Sequence, residues 1–258
     1  MYNLQQEYNK YTEEDFHVWK LLYERQFKIY PNRAAYTFLK GLKKVNFVAD
    51  KIPDFDETNA VLKETTGWQL EVVPGLIPDK DFFELLSIKK FPATTWLRKM
   101  EELDYLEEPD MFHDVFAHVP ILTNQFFVDY LQSLSKIALK HINNPFAIEL
   151  IGRIYWFTVE FGLVDGKRGL RIYGAGILSS KGETLFCLED KAVRHPYNVK
   201  AIMENHYYKH AFQDRYYMIE SYAQLFGSIE EIEYWLDVAL KKYPSVSGDV
   251  TKLDIVLD

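Results

Sequence analysis

The stretch that follows Pro145 constrains the fold of this chain more than any other. It reads FAIELIGRIYWFTVEFGL and is apolar almost all the way round a helix. A helix of that kind has no polar face to turn to water, so we expect it to lie at the centre of a domain. Glu160 is the only charged residue between Ile154 and Val164. Because an unpaired buried carboxylate is costly or becomes neutral, the pattern predicts a cationic partner for Glu160.

The composition is that of a globular protein with a full core. Of the 258 residues, 48% are hydrophobic and 26% are charged, which is ordinary for such proteins. The net charge of −8, without a long run of Lys or Arg, argues against nucleic acid as a partner. The single cysteine, Cys187, fits a reducing compartment, and no apolar segment is long enough for a signal core or a membrane span. We therefore expect a cytoplasmic protein that binds neither nucleic acid nor membranes.

Helical periodicity dominates the chain, and short β-prone runs lie between the helical segments. Thr12 with Asp15, and Ser228 with Glu231, form capping-box patterns at two helix starts, and Gly67 is placed to end another helix. The sequence predicts one mainly α-helical domain with small β elements, of the α+β class. Helices are expected over 16–26, 57–66, 80–88, 124–142, 146–163 and 229–243, and strands over 68–73, within 169–188 and over 250–258.

Two histidines stand five residues apart in the apolar segment 108–122, which reads EPDMFHDVFAHVPIL. On an ideal α-helix, residues five apart differ by about 140° in direction, so His113 and His118 would not share a face. If their rings converge, the segment must contain a π-type turn or an irregular backbone. Two imidazoles and the carboxylate of Glu160 would form the set that holds non-haem Fe(II), and zinc accepts the same ligands.

Two simpler interpretations remain open at this point. The buried carboxylate could form a salt bridge with Arg153 or Arg171 instead. His206 and His210 have the i, i+4 spacing of a helical metal pair. Their surroundings are polar, and the lysine between them would repel a cation, so we interpret this second pair as a solvated helix end.

Three motifs, EPDMFHDVFAHVP, YWFTVEFGL and YGAGILSS, stand in the order and spacing of a known family. Through them the chain resembles the pterin-dependent aromatic amino acid hydroxylases, most closely the bacterial members that act on phenylalanine, from about Tyr11 to its end. The resemblance implies that family's catalytic domain over 1–258, without the N-terminal regulatory domain or the long C-terminal tetramerisation helix of animal members. It implies a monooxygenase that hydroxylates L-phenylalanine to L-tyrosine with O2, non-haem Fe(II) and a tetrahydropterin cosubstrate.

The same resemblance implies roles for particular side chains. The iron ligands would be His113, His118 and Glu160. The pterin would lie against Gly75, Leu76, Ile77, Phe82 and Asp114, through backbone contacts, ring stacking by Phe82 and a water-mediated contact with Asp114. The substrate would lie against Arg98, Phe91, Tyr155, Trp156 and Ser179, with its carboxylate on the arginine fork and its ring between the aromatic side chains.

Two departures from the family pattern bear on this interpretation. Ala117 precedes the second histidine, where the family usually has glycine, so the backbone there must be helical-like. Lys209 stands near the expected substrate pocket, where relatives usually carry an uncharged residue. The alternatives are a hydroxylase that prefers tryptophan or tyrosine, a zinc-dependent hydrolase with Asp114 as its base, or a binding protein that keeps only the metal. A monomer or a dimer is expected.

Overall fold

The computed structural model describes residues 2–104, 106, 108–209, 211–244, 251 and 255–257. These residues form a mainly helical domain with two small sheets, as the sequence predicts. The α-helices are α1 (Glu13–Ile29), α2 (Tyr36–Lys44), α3 (Phe55–Thr65), α4 (Asp79–Ser87), α5 (Gln125–Lys140), α6 (Pro145–Tyr155), α7 (Ala175–Ser179), α8 (Lys181–Phe186), α9 (Val199–Glu204), α10 (Tyr222–Gly227) and α11 (Ile229–Lys242). The strands are β1 (Gln69–Val72), β2 (Lys90–Ala93), β3 (Leu163–Gly166), β4 (Gly169–Ile172), β5 (Arg194–Pro196) and β6 (Tyr216–Ile219).

Helix α1 starts where the sequence predicts. Thr12 and Asp15 form the reciprocal capping box, in which the Asp15 carboxylate accepts the Thr12 N–H at 2.8 Å. The helix buries Val18, Trp19 and Leu22, which have the spacing of one face of an amphipathic helix. This face anchors α1 on the core that surrounds the site.

The smaller sheet is a parallel pair, β1 with β2, in register from Gln69 opposite Lys90 to Val72 opposite Ala93. Parallel neighbours need a crossover connection, and α4 provides it. The crossover packs α4 against β2. The loop after β1 is thereby held next to the strand that carries Phe91.

The larger sheet has the strand order β4-β3-β6-β5. β3 and β4 form an antiparallel hairpin in which Asp165 faces Leu170, and Gly169 has a positive φ of 79° at the turn. β6 pairs in parallel with both β3 and β5. Because β3 follows directly on the long apolar stretch, this sheet fixes where that stretch ends.

The long apolar stretch is buried at the centre, as predicted, but it is not one α-helix. α6 ends at Tyr155, and the chain continues as a π-helical turn over Trp156–Glu160 before it enters β3. Leu150, Ile151 and Ile154 have no exposed surface. The core around them is one continuous cluster of buried side chains that includes residues of α1, α5 and α11.

The prediction of strands and tight turns within 169–188 is wrong for most of that segment. Only 169–172 form a strand, and α7 and α8 follow it. The glycines misled the prediction because they serve close packing. A Cβ on Gly174 would lie 2.3 Å from the carbonyl oxygen of Glu160, and one on Gly176 would lie 3.2 Å from the same atom. The glycines therefore let α7 approach the backbone of the π-helical turn.

The C-terminal part differs from the prediction in two ways. α11 forms, but the capping box does not: Ser228 Oγ donates to Leu225 O at 2.7 Å and lies 2.8 Å from Tyr197 Oη. The strand expected over 250–258 falls mostly outside the described residues. The sequence patterns also missed α2, α9, α10, β2, β3, β5 and β6. None of the helices in the described residues has both the length and the hydrophobicity of a membrane span.

Candidate active site

Two π-helical turns carry the histidines and the glutamate. The turn Phe112–Ala117 contains His113 and is followed directly by His118, and the turn Trp156–Glu160 ends at the glutamate. In a π-turn the hydrogen bonds run between residues five apart, so side chains at that spacing approach one face. The predicted distortion of the histidine segment is confirmed.

The two imidazoles and the carboxylate face one another. His113 Nε2 lies 3.3 Å from Glu160 Oε2, and His118 Nε2 lies 3.2 Å from Glu160 Oε1. The centres of the two imidazole rings are 5.0 Å apart. One ligand atom from each of the three residues lies within 4.8 Å of the other two. His118 and Glu160 are buried and His113 is half-buried, so the three atoms form a compact N, N, O set that is largely screened from water.

The charges of the three side chains complement one another. Burial opposes the ionisation of Glu160, but the positive charge of the two imidazoles outweighs it and holds the pKa of Glu160 well below its usual value. Burial likewise opposes the protonation of His113, but hydrogen bonds with Asp114 and Glu160 raise the pKa of His113 to about 10. A proton on His113 thus helps to balance the carboxylate, and a divalent cation held by the same atoms would replace it.

The donor set fits ferrous iron. Two neutral imidazoles and one carboxylate are the facial set of non-haem Fe(II), which leaves further positions open. His118 Nδ1 is buried and has no hydrogen-bond partner in the part of the chain that the structure describes. The ring of Phe91 lies against the same imidazole, with ring centres 4.8 Å apart. His118 therefore contacts its polar neighbour, the carboxylate of Glu160, through Nε2.

The salt bridge from Glu160 to an arginine is not formed. Arg153 Nε donates to Glu149 Oε1 at 3.0 Å, and Arg171 Nη1 donates to a backbone carbonyl at 2.7 Å. Among the described ion pairs, Glu160 meets only the two histidines. The cationic partner expected for Glu160 is thus the histidine pair. The alternative interpretation, a salt bridge between Glu160 and an arginine, is wrong.

The second histidine pair is not brought to the trio. His206 lies beyond the end of α9, and its Nε2 is 3.3 Å from the hydroxyl of Tyr208. His210 lies outside the described residues. Of the described His, Cys, Asp and Glu side chains, only one group of three converges as a metal site would, and it is the trio of His113, His118 and Glu160.

Asp114 lies directly behind the first histidine. Its Oδ1 is 3.1 Å from His113 Nδ1, and its Oδ2 accepts the backbone N–H of Thr94 at 2.9 Å and the Thr94 hydroxyl at 3.0 Å. A carboxylate in this position fixes the orientation of an imidazole that ligates through its other nitrogen. Ala117 lies inside the π-helical turn and not among the residues with positive φ, so the helical-like backbone expected there is confirmed.

Arg98 is buried and is held by Asp110. Its Nε and Nη2 donate to the two carboxylate oxygens of Asp110 at 2.9 and 2.8 Å. The same carboxylate accepts the backbone N–H of Arg98 at 3.0 Å and that of His113 at 3.2 Å. A guanidinium carries five N–H groups, and Asp110 uses two of them. No hydrogen bond takes the other three within the described part of the chain, so they can serve a ligand.

Trp156 is held by three neighbours. Its ring stacks on Phe161 and Tyr207, with ring centres 4.7 and 4.5 Å away. Its Nε1–H donates to Gln213 Oε1 at 2.9 Å. Lys209 is exposed, and its Nζ lies 5.8 Å from the centre of the Tyr207 ring. Contact between Lys209 and the predicted substrate wall therefore runs through Tyr207.

The other predicted residues are brought together to different degrees. Phe82 and Tyr155 contact each other with ring centres 5.5 Å apart. Burial and the nearby charge of Glu160 raise the pKa of Tyr155, so its hydroxyl stays protonated. Ser179 Oγ donates to the carbonyl of Ala175 at 2.9 Å, a bond within its own helix. Gly75, Leu76 and Ile77 form the loop between β1 and α4, in which Leu76 is 71% exposed.

Sequence reasoning assigned no role to three polar residues that hold this site. Asp110 stands inside the apolar histidine motif, and an acid in such surroundings was a signal that its carboxylate is paired, although not with which residue. Thr94 and Gln213 gave no signal, because their partners lie 20 and 57 residues away. Pairings at such separations leave no periodic trace in a sequence.

Comparison with known proteins places this arrangement in a family. Residues 4–247 match the biopterin-dependent aromatic amino acid hydroxylase family. A phenylalanine-4-hydroxylase of Chromobacterium violaceum is 43% identical over 260 residues, which cover 100% of this chain and 87% of that protein. A crystal structure of the Chromobacterium violaceum phenylalanine hydroxylase with iron(III) and oxidised 7,8-dihydrobiopterin has a TM-score of 0.87 and 42% identity, over 95% of this chain and 90% of that one. A structure of it with iron and phenylalanine has a TM-score of 0.86 and 41% identity, over 95% and 91% of the two chains.

Proposed function

The chain belongs to the biopterin-dependent aromatic amino acid hydroxylases, and we propose that it hydroxylates L-phenylalanine to L-tyrosine with O2, iron and a tetrahydropterin. One observation carries the proposal. Two imidazole Nε2 atoms and one carboxylate converge within 4.8 Å in a chain that is 43% identical to a phenylalanine-4-hydroxylase along its whole length.

His113, His118 and Glu160 would hold the iron. Iron and tetrahydropterin together supply the reducing equivalents that activate O2, so the hard chemistry belongs to the cofactors. The chain binds and orients the reactants. Asp114 contributes by holding the His113 ring through Nδ1, with its own position fixed by Thr94.

Arg98 would bind the substrate carboxylate with the N–H groups that Asp110 leaves unused. A guanidinium fork fixes a carboxylate in direction as well as in distance, which a lysine does not. The grip of Asp110 on Nε and Nη2 supports this role, since it holds the fork still before the substrate arrives. Asp110 also accepts the N–H of His113, so the carboxylate clamp and the first metal ligand share one buried support.

Phe91, Tyr155 and Trp156 would form the apolar walls around the substrate ring. Phe91 lies against His118, which would place the ring it contacts next to the metal. The side chains would exclude water from the reacting positions and hold the aromatic ring in a reactive orientation. Ser179 gives its one hydroxyl hydrogen to the carbonyl of Ala175, so a hydrogen bond to the substrate carboxylate would require the hydroxyl to turn away from that carbonyl, and this contact is a proposal.

The loop of Gly75, Leu76 and Ile77 would contact the pterin, and Phe82 would stack on it. The large exposed surface of Leu76 fits a loop whose partner is a ligand and not the core. The contact between Phe82 and Tyr155 supports a pterin beside the substrate, because the wall predicted for one ligand touches the wall predicted for the other.

The zinc hydrolase is a weaker alternative. It needs a general base that is free to take a proton from a metal-bound water. Asp114, the candidate for that base, is instead held by three hydrogen bonds from Thr94 and His113. A single catalytic domain, a cytoplasmic location and a monomeric or dimeric state remain predictions from the sequence.

Product analysis tests the proposed function. The purified protein is incubated with Fe(II), a tetrahydropterin, O2 and each of the three aromatic amino acids in turn. We expect tyrosine from phenylalanine, with oxidation of the pterin, and no product from Glu160→Ala under the same conditions. Hydroxylation without added pterin, or an absence of tyrosine with iron fully bound, would overturn the proposal.

A further inference from the structure

Gln213 is a buried amide at the edge of the proposed substrate site. It lies in the loop between α9 and β6 and is 2% exposed. Its Oε1 accepts the indole N–H of Trp156 at 2.9 Å. Its Nε2 donates to the carbonyl oxygens of Tyr208 and Ala211 at 2.6 and 3.3 Å. All the polar atoms of the amide are therefore engaged.

This hydrogen-bond pattern fixes which way the amide points. If the group were flipped, its NH2 would meet the indole N–H of Trp156, and its oxygen would meet two carbonyl oxygens. Only the observed orientation pairs every donor with an acceptor. Gln213 thus links one side chain of the π-helical turn to the backbone of the loop that carries Tyr207 and Lys209.

The backbone of Gln213 is also held by a hydrogen bond. Its backbone N–H donates to Glu183 Oε1 at 3.2 Å, and the Tyr216 hydroxyl donates to the same oxygen at 2.5 Å. Glu183 is 4% exposed, and Tyr216 belongs to β6. The backbone of Gln213 is therefore tied to α8 and β6 through Glu183, and its amide is tied to the backbone of its own loop.

Among the described residues, Gln213 is the one hydrogen-bond partner that sets the direction of the indole. The stacking contacts with Phe161 and Tyr207 fix the plane of the ring, but stacked rings can slide over one another at little cost. The hydrogen bond to Gln213 fixes the ring within that plane. Trp156 lies four residues before Glu160 in the same turn, so a shift of the indole changes the space beside the metal ligands.

We propose that Gln213 is a positioning residue for the hydroxylation reaction. It holds the Trp156 indole in the place where this ring confines the aromatic ring of the substrate. The inference rests on the proposed function and on Trp156 as part of the substrate wall. Gln213 touches neither the reacting atoms nor the metal ligands, and it acts only through Trp156.

The hydrogen bond is tested first by NMR, without any turnover. The protein has five tryptophans, and the indole signal missing from Trp156→Phe identifies that of Trp156. We expect slow hydrogen exchange of this indole N–H in the wild type and at least fivefold faster exchange in Gln213→Leu, the change that loss of one buried neutral hydrogen bond produces. The indole N–H of Trp19, which donates to Val48 O at 2.9 Å, is the internal control and stays protected.

The positioning role is tested by a double-mutant cycle. Gln213→Leu is expected to raise the KM for phenylalanine about fivefold and to lower the tyrosine formed per tetrahydropterin oxidised, at unchanged iron content. In the Trp156→Phe background the same substitution should change neither quantity. Gln132→Leu removes a glutamine that bridges α5 to Ser87 O and serves as the matched control.

Two results would overturn the proposal. One is unchanged exchange of the Trp156 indole in Gln213→Leu. The other is an equal fall in the tyrosine formed per tetrahydropterin oxidised when Gln213→Leu is introduced into the wild type and into Trp156→Phe. If Gln213→Leu does not fold, fast exchange of the Trp156 indole N–H in the wild type still contradicts the proposal. A different result is a wild type that forms no tyrosine while Gln213→Leu still speeds the exchange of the Trp156 indole N–H. That result would show that the proposed function is wrong and that the hydrogen bond is present.

Discussion

Asp110 accepts hydrogen bonds from Nε and Nη2 of the Arg98 guanidinium, at 2.9 and 2.8 Å, at a place where Asp110 has no exposed surface. The pair is a buried ion pair of the bidentate kind, and its geometry differs from that of a surface salt bridge. The same carboxylate also accepts the backbone N–H of His113. The proposed substrate clamp and the proposed metal centre therefore depend on one aspartate.

Arg98→Lys should raise the KM for phenylalanine about tenfold and leave the iron content unchanged. Lysine keeps the positive charge, but it cannot grip Asp110 and a substrate carboxylate with one rigid fork. Steady-state kinetics and metal analysis on the same preparation measure the two effects. Arg25→Lys, at an arginine that pairs with Asp104, is the matched control and should leave the KM as it is. An unchanged KM in Arg98→Lys would mean that the carboxylate is bound elsewhere.

Asp110→Ala should be strongly destabilising, by about 3–5 kcal/mol, because it leaves Arg98 buried without its partner. Chemical denaturation monitored by circular dichroism measures the free energy of unfolding. Asp50→Ala, which removes an exposed salt bridge to Lys20, should change it little. Equal effects of the two substitutions would show that the buried pair has no special weight in the fold.

Each of His113→Ala, His118→Ala and Glu160→Ala should lose both iron and hydroxylation. A facial set of three protein ligands does not retain the metal tightly with only two. The wild type should bind one iron per chain. His206→Ala, at a histidine that lies outside the trio, should keep iron and activity. If any one of the three variants holds a full complement of iron and turns over normally, that side chain is not a ligand.

Phenylalanine should be the preferred substrate by kcat/KM, ahead of tyrosine and tryptophan. An apolar pocket rejects an added hydroxyl only weakly, so the discrimination against tyrosine should be at most about 100-fold. Trp156 occupies space that a bicyclic substrate ring would need, and its contacts with Phe161 and Tyr207 hold it there. Competition between equimolar amino acids measures the ratios. A preference for tyrosine would point to Lys209, whose Nζ lies 5.8 Å from the centre of the Tyr207 ring that stacks on Trp156.

Glu183→Gln should change how stability depends on pH. Burial raises the pKa of Glu183 above its usual value, although hydrogen bonds from Tyr216 and Gln213 oppose the shift. The unfolded chain therefore ionises at this position first, with a pKa of about 4.3, and the wild type loses stability as the pH rises from there through the folded pKa. Glutamine does not ionise, so the variant does not lose stability in this way as the pH rises. The difference in unfolding free energy between variant and wild type should move in favour of the variant from pH 4 to pH 7, and a constant difference would contradict the assignment.

Sequence patterns alone predicted the class of the fold and picked out the three side chains that the structure brings together, His113, His118 and Glu160. The apolar surroundings of Glu160 predicted a cationic partner for its carboxylate. The five-residue spacing of His113 and His118 predicted a distorted helix if the two rings converge. Both predictions are local, because they follow from side-chain chemistry and helix geometry within a short segment. They hold for any fold that buries the segment, which is why they could be stated before the fold was known.

Tertiary structure decided which side chains support that site. Asp110 meets Arg98 across 12 residues, Thr94 meets Asp114 across 20, and Gln213 meets Trp156 across 57. It also decided that the glycines of 174–176 serve the packing of α7 against the Glu160 backbone and not strand turns. Such pairings arise when separate elements pack together. The physical reason that no sequence pattern announces them is that periodicity records which face of an element is buried, but not which other element covers it.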